Sequence, residues 1–72
     1  MSAVNETTLA MAVRHVAEGK RTIARQRKSI ARLKAVGLPT LDYEHTLLAF
    51  EDTLQIFEDH EREIRRRLGI PK

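Results

Sequence analysis

The feature that most constrains this fold is a single helix-breaking segment near the middle of the chain, Val36-Gly37-Leu38-Pro39-Thr40. Gly37 can take the left-handed backbone conformation that ends a helix, and Pro39 cannot continue one. Thr40 can then cap a following helix. Because the connection is short, the two helices are predicted to lie side by side and antiparallel. The predicted elements are helix 1 over about residues 7–36, a turn at 37–39 and helix 2 over about residues 40–68.

The outer ends of the two helices carry their own start and stop signals. Three polar residues near the start of the chain are candidate N-caps of helix 1: Asn5, Thr7 and Thr8. The arginine run at 65–67 suits the last turn of helix 2, where positive charge meets the negative end of the helix dipole. Gly69 then ends that helix.

Both predicted helices carry residues at alternating spacings of three and four that form a coiled-coil seam. In helix 2 the seam residues are Tyr43, Leu47, Phe50, Leu54, Phe57, Ile64 and Leu68, with Glu61 at the one polar step. In helix 1 they are Leu9, Ala12, Val16, Gly19, Ile23, Gln26, Ile30 and Leu33. Helix 1 therefore has the thinner side chains, and folding at the turn is predicted to bring Gly19 level with Phe57.

A column of like charge runs beside the seam on each helix. The columns are Lys20, Arg27 and Lys34 on helix 1, and Glu44, Glu51 and Glu58 on helix 2. One antiparallel register brings them together as Lys34–Glu44, Arg27–Glu51 and Lys20–Glu58. Exposed ion pairs contribute only about 0.2–1 kcal/mol each, so their main effect is on register and direction. The same columns can also pair between the two chains of a dimer.

A second apolar set lies beyond the charged columns. Alanine recurs every seven residues on helix 1, at Ala10, Ala17, Ala24 and Ala31. Larger residues are assigned to the matching side of helix 2: Leu41, Leu48 and Ile56. Alanine is also simply a good helix former, but the strict repeat opposite leucines favours packing against another helix. These seven residues are the predicted oligomer interface.

The size of the chain supports the same conclusion. It has 72 residues and no cysteine. A domain of about 60 residues buries only about 60% of its unfolded surface, and such folds usually rely on disulfides, a metal or a partner chain. We therefore expect an all-α protein, an antiparallel two-helix hairpin that forms a homodimeric four-helix bundle.

The sequence carries no pattern typical of catalysis or of a cofactor site. It has no Gly-rich phosphate loop and no nucleophile–base spacing, and aromatic residues make up only 4%. No two of His15, His45 and His60 have the spacing of three or four residues that places two histidine ligands on one helix face. We expect no catalytic residue, no cofactor and no metal.

Membrane and secretory signals are also missing from the sequence. No apolar run approaches the roughly 20 residues that span a bilayer, so no membrane partner is expected. The N-terminal residues MSAVNETT do not resemble a signal peptide, and the lack of cysteine fits a reducing cytoplasm. We expect a cytoplasmic protein.

The most basic surface lies on helix 1, where residues 20–34 hold seven basic residues and no acidic one. Four of them define an outward stripe: Arg21, Arg25, Lys28 and Arg32. Such a stripe can follow the phosphates of a nucleic acid. It can equally be a solvated face, or be neutralised by helix 2, where residues 42–63 hold eight acids and one base. No aromatic residue interleaves the stripe to stack on bases, which makes nucleic acid the less favoured partner.

Two segments carry a resemblance to known proteins: HVAEGKRTIARQRKSIARL at 15–33 and LLAFEDTLQIFEDHEREIRRRL at 47–68, joined through GLPT at 37–40. They resemble small uncharacterised bacterial helical-hairpin proteins with an HV-x-EG…I-x-RQR pattern in helix 1 and an LL-x-FE pattern in helix 2. The resemblance implies a bacterial, cytoplasmic origin and no particular activity. In architecture alone the chain also resembles Rop, a dimeric hairpin bundle that binds RNA loop pairs.

Two functions are therefore predicted. The first is a non-enzymatic homodimer that acts through protein–protein interaction, as a small regulator or adaptor. The alternative is a Rop-like dimer that binds RNA or DNA through the four residues of the basic stripe.

Overall fold

The computed structural model describes residues 7–70 of the chain, and these form two helices. Helix α1 spans Thr8–Ala35 and helix α2 spans Leu41–Leu68. Their ends differ from the predicted bounds by no more than one residue. The two helices pack against each other along their length, and across residues 7–70 there is no strand. The predicted all-α helical hairpin is confirmed.

The reversal of the chain depends on Gly37. Its φ is +76°, in the left-handed region that favours glycine. The Leu38 N–H donates to the Leu33 carbonyl at 2.9 Å, and the Gly37 N–H donates to the Lys34 carbonyl at 3.1 Å. These two hydrogen bonds form a Schellman motif, which satisfies carbonyl groups that the end of α1 would otherwise leave unpaired.

The same type of hydrogen-bonded motif ends α2. Gly69 has φ +71°, its N–H donates to the Arg66 carbonyl, and the Ile70 N–H donates to the Arg65 carbonyl at 2.9 Å. The motif turns the chain sharply at the last helical turn. As a result Ile70 lies back against the hairpin, where it borders a groove described below.

The predicted N-caps behave differently at the two helix starts. The Thr7 hydroxyl oxygen accepts a hydrogen bond from the Ala10 N–H at 3.0 Å, as an N-cap does. Asn5 lies outside the described residues. Thr40 occupies the cap position of α2, but its hydroxyl donates to the Glu44 carboxylate and accepts no backbone hydrogen bond. Because Thr40 is buried, this bond satisfies a hydroxyl that water hardly reaches.

The core is one row of α1 side chains pressed against α2. The buried apolar residues are Ala12, Val16, Ile23 and Ile30, and all four belong to the predicted seam. Most seam residues of α2 are only half-buried: Leu47, Phe50, Leu54, Phe57 and Ile64. The seam prediction is wrong at its two ends, since Tyr43 and Leu68 are exposed. Among the described residues, no third element covers these two side chains.

Two unusual seam residues of α1 are explained by contacts across the hairpin. A Cβ atom on Gly19 would lie 3.2 Å from Cδ1 of Leu54 and 3.9 Å from Cδ2 of Phe57, so the missing side chain lets α2 come close. Gln26 donates from Nε2 to the backbone carbonyl of Tyr43 at 2.9 Å. The polar group therefore has a partner between the helices and does not weaken the seam as an unpaired group would.

Candidate functional site

One side of the hairpin carries the predicted ion pairs, and we call it the ladder flank. It is defined by Lys20, Arg27 and Lys34 on α1 and by Glu44, Glu51 and Glu58 on α2. Arg27 Nη2 lies 2.8 Å from Glu51 Oε2, and Lys34 Nζ lies 3.6 Å from Glu44 Oε2. The predicted register is confirmed at these two positions, and both pairs form within one hairpin.

The ladder is an exposed electrostatic feature. The Thr40 hydroxyl, and after it the Lys34 ammonium, hold the pKa of Glu44 below its ordinary value. The Arg27 side chain is 63% exposed. Pairs this well solvated stabilise a fold only slightly, so the apolar contacts of the seam hold the hairpin together.

The third predicted pair is wrong, because Lys20 and Glu58 do not come within ion-pair distance in the described structure. Both side chains instead border a groove of about 620 Å³ at the open end of the hairpin, away from the turn. We call it the end groove. Its lining residues are Val16, Lys20, Glu58, Glu61, Arg62, Arg65, Arg66 and Ile70.

The end groove combines apolar contacts with a charged rim. Val16 is buried beneath it, and Ile70 at its edge is 37% exposed. Glu61 pairs with Arg65 at 2.8 Å, and this pair is only 21% and 30% exposed. Glu61, the polar residue in the α2 seam, therefore has its ion-pair partner on the next turn of the same helix.

The remaining arginines near the open end are also tied to carboxylates of α2. Arg62 Nη1 lies 2.8 Å from Asp59 Oδ1, and Arg66 and Arg67 both bind Glu63. Hydrogen bonds from Arg66 and then Arg67 lower the pKa of Glu63 to about 2. Among the described residues that line the end groove, Lys20 and Glu58 are the charged side chains without an ion-pair partner.

The predicted oligomer interface is largely open in the single hairpin. Leu41, Leu48 and Ile56 are 63%, 58% and 65% exposed. Ala10, Ala24 and Ala31 are exposed, and Ala17 is half-buried. Ile56 does not share the side of the two leucines, because it follows Leu48 by eight residues and so lies about 80° further around α2.

The two leucines lie on the ladder flank. Leu41 precedes Glu44 by three residues and Leu48 precedes Glu51 by three, a spacing that places side chains on one helix face. The alanine column precedes the basic column of α1 by the same spacing, as Ala24 precedes Arg27. We call these six residues the apolar row: Ala10, Ala17, Ala24, Ala31, Leu41 and Leu48.

The four residues of the basic stripe, Arg21, Arg25, Lys28 and Arg32, are all exposed. Arg25 donates to the Thr22 hydroxyl at 3.3 Å. Among residues 7–70, none of the four forms an ion pair. The α2 acids that form ion pairs do so with ladder cations or with arginines of α2 itself. Neutralisation by α2, left open from the sequence, therefore does not occur within one hairpin.

The three histidines lie in different surroundings. The ring of His15 packs against Phe57, with ring centroids 5.2 Å apart and planes tilted by 32°. His45 and His60 are exposed. In the described part of the chain, no three His, Cys, Asp or Glu side chains form a group able to hold a metal ion.

Sequence reasoning missed the end groove. The only signal for it was Glu61, where the apolar spacing of α2 is interrupted near the open end. Neither helix, over the described range, is long and apolar enough to span a bilayer. No known protein family, curated protein or solved structure matches this chain.

Proposed function

We propose that this chain works as a homodimer, in which two hairpins form a four-helix bundle that acts through protein–protein interaction and not through catalysis. The observation that carries the proposal is the apolar row. Its leucines, Leu41 and Leu48, are more than half exposed on a flank that already bears ordered ion pairs. A second copy of the hairpin would cover them.

The thin core supports the same proposal. No side chain within residues 7–70 is less than 2% exposed, and α2 has no buried residue at all. The accessible surface is 5665 Å², whereas a compact monomer of this mass exposes about 4600 Å². A partner chain is a direct way for so open a hairpin to gain buried area.

Magnitudes favour the apolar row over the ladder as the source of affinity. Burying one leucine fully contributes roughly 1.5–3 kcal/mol, and a dimer contains two copies of each leucine. An exposed ion pair contributes roughly 0.2–1 kcal/mol. The charges then set how the chains are oriented, while the leucines hold them together. The regulator or adaptor role and the cytoplasmic location stay predictions.

The proposal is tested by mass and helicity across a dilution series. Light scattering is expected to give twice the 8.3 kDa mass of one chain at high concentration. On dilution, mass and helical circular dichroism should fall together, because separated hairpins no longer have the surface that stabilises them. A fully helical particle of 8.3 kDa at every concentration would contradict the proposal.

A second candidate function is binding of a nucleic acid through the basic stripe. The observation that favours it is that all four cations are exposed and none forms an ion pair with a carboxylate among residues 7–70. Arg25 and Arg32 follow Lys20 and Arg27 by five residues, which places them about 140° around α1 from the ladder. Dimerisation on the ladder flank would therefore leave Arg25 and Arg32 accessible to phosphates.

The stripe is tested by gel shift with Arg25→Glu. The variant is expected to weaken binding of duplex RNA or DNA at low salt, because it replaces a cation that meets a phosphate with a repulsive charge. The slope of log affinity against log salt should become shallower by about 0.9 for each phosphate of a B-form duplex that the variant no longer neutralises. Arg67→Glu is the control, since it makes the same charge change at a 74% exposed side chain outside the stripe.

Two outcomes would end this candidate. One is the absence of any shift by the unmodified protein at low salt. The other is equal weakening by Arg67→Glu and Arg25→Glu, which would indicate a response to net charge without a localised site.

A further inference from the structure

We propose that the two copies pack with their turns at opposite ends, so that Leu41 and Leu48 of each copy occupy the end groove of the other. The inference rests on the proposed homodimer and adds its orientation and its contact residues. It follows from the placement of the leucines and the groove on one flank of the same molecule.

The leucines and the groove share one row of α2. Leu41, Leu48, Gln55 and Arg62 are spaced by seven residues, so they lie along one side of the helix. The two leucines stand in the half near the turn, and Arg62 lines the end groove. Gln55 is the midpoint between Leu48 and Arg62.

A two-fold axis that crosses the flank at Gln55 matches one half of this row to the other. In a symmetric dimer, if one residue of the first copy contacts another residue of the second copy, the same two residues also make contact with the copies exchanged. The axis brings Leu48 level with Arg62 of the other copy, and Leu41 level with Gly69 and Ile70. Ile70 and the buried Val16 are the apolar residues that line the groove, so the leucines would contact its apolar part.

Charge supports this orientation. Residues 42–59 of α2 hold six acidic residues and no basic one, whereas residues 62–67 hold four arginines and one glutamate. Turning one copy end for end places the acidic part of α2 beside the basic part of its partner, with Glu44 level with Arg66. With both turns at the same end, the cationic rims of the two end grooves would face each other, which complementary interfaces avoid.

The available area is sufficient for a specific dimer. The hairpin measures 49 × 28 × 16 Å. Its broad face is therefore larger than the surface of about 800 Å² that each partner buries in a standard interface. The end groove, about 620 Å³, is a hollow in that face that a flat partner would leave empty. Side chains projecting from the partner fill it.

A distance measurement between spin labels tests the orientation. The chain has no cysteine, so Ala35→Cys gives one labelling site per chain, on an exposed residue at the turn end of α1. With turns at opposite ends and the axis at Gln55, Ala35 of each copy lies about 12 helix residues from the axis, so the two labels should be separated by roughly 36 Å or more at 1.5 Å per residue. With turns at the same end, they should lie within about its 28 Å width.

The three outcomes are distinguishable. The long distance supports the inference. The short distance in a particle of dimeric mass overturns the orientation but keeps the proposed homodimer. A labelled protein of monomeric mass with no coupling between labels overturns both.

A second variant tests where the axis crosses. Gln55→Cys is expected to form a disulfide-linked dimer under mild oxidation, because the two Gln55 positions face each other across the axis. Ile56→Cys is the control, since the next residue is also exposed but points about 100° away around α2. Equal cross-linking of both variants, or none by Gln55→Cys in a dimeric protein, would overturn the contact assignment.

Discussion

Ile23→Ala is expected to lower the free energy of unfolding by about 2–5 kcal/mol, which is the usual cost of truncating a buried isoleucine. Ile23 is 5% exposed and belongs to the four-residue core of α1. A domain this small has a total stability of only about 5–15 kcal/mol, so the substitution removes a large part of it. Urea unfolding at a fixed chain concentration, followed by circular dichroism, measures the change.

The matched control is Ile56→Ala, the same substitution at a side chain that is 65% exposed. It is expected to change stability by less than about 0.5 kcal/mol. A large destabilisation at Ile56 would show that this side chain is covered in the assembled protein, and the apolar row would then extend further around α2. A neutral Ile23→Ala would show that the seam is placed wrongly.

Leu48→Glu is expected to convert the dimer to monomers over the range in which the unmodified chain is dimeric. The substitution removes two leucines from the interface and puts a carboxylate into each of the two end grooves, where its burial would cost the charge its hydration. Removal of the leucines alone, at about 1.5 kcal/mol each, raises the dissociation constant about 100-fold. Sedimentation equilibrium at several concentrations measures the effect.

Ile56→Glu provides the comparison, because it introduces the same charge at an equally exposed apolar residue of the same helix. We expect it to remain dimeric, since Ile56 lies about 80° away from the side of Leu48. A dimeric Leu48→Glu protein would refute the apolar row as the interface. Equal dissociation of both variants would mean that any added charge on α2 disrupts assembly.

The helical hairpin itself was predictable because its signals are local. Gly37 takes the left-handed conformation that its position suggested, and the buried residues of α1 follow the spacing of the seam. The ladder was predictable at Arg27–Glu51 and Lys34–Glu44, since a single register aligns both.

The features that were not predicted from the sequence depend on which of several possible partners a charged side chain binds. Glu61 binds Arg65 one turn away, and the end groove lies between Lys20 and Glu58. Periodicity alone does not show how far two helices separate at an open end. In the same way, the pairing of Glu63 with Arg66 and Arg67 decides which cations of the protein remain available, and this depends on side-chain geometry.

The position of Ile56 shows a second limit of prediction from the sequence, which concerns the side of a helix on which a residue lies. A step of seven residues keeps a side chain near the same side of a helix, and a step of eight moves it by about 80°. Leu48 and Ile56 are both large apolar residues with similar exposure, yet only Leu48 lies on the ladder flank. Angular position, not hydrophobicity, separates the two.

The unequal charge of the two helices gives the hairpin an electric dipole across its width. Helix α1 holds eight basic residues and one acidic residue, whereas α2 holds eight acidic and four basic. In the field of an approaching polyelectrolyte, the molecule turns before it touches, with α1 leading toward negative charge and α2 toward positive charge. Encounter rates should therefore depend on ionic strength even where the final contacts are apolar.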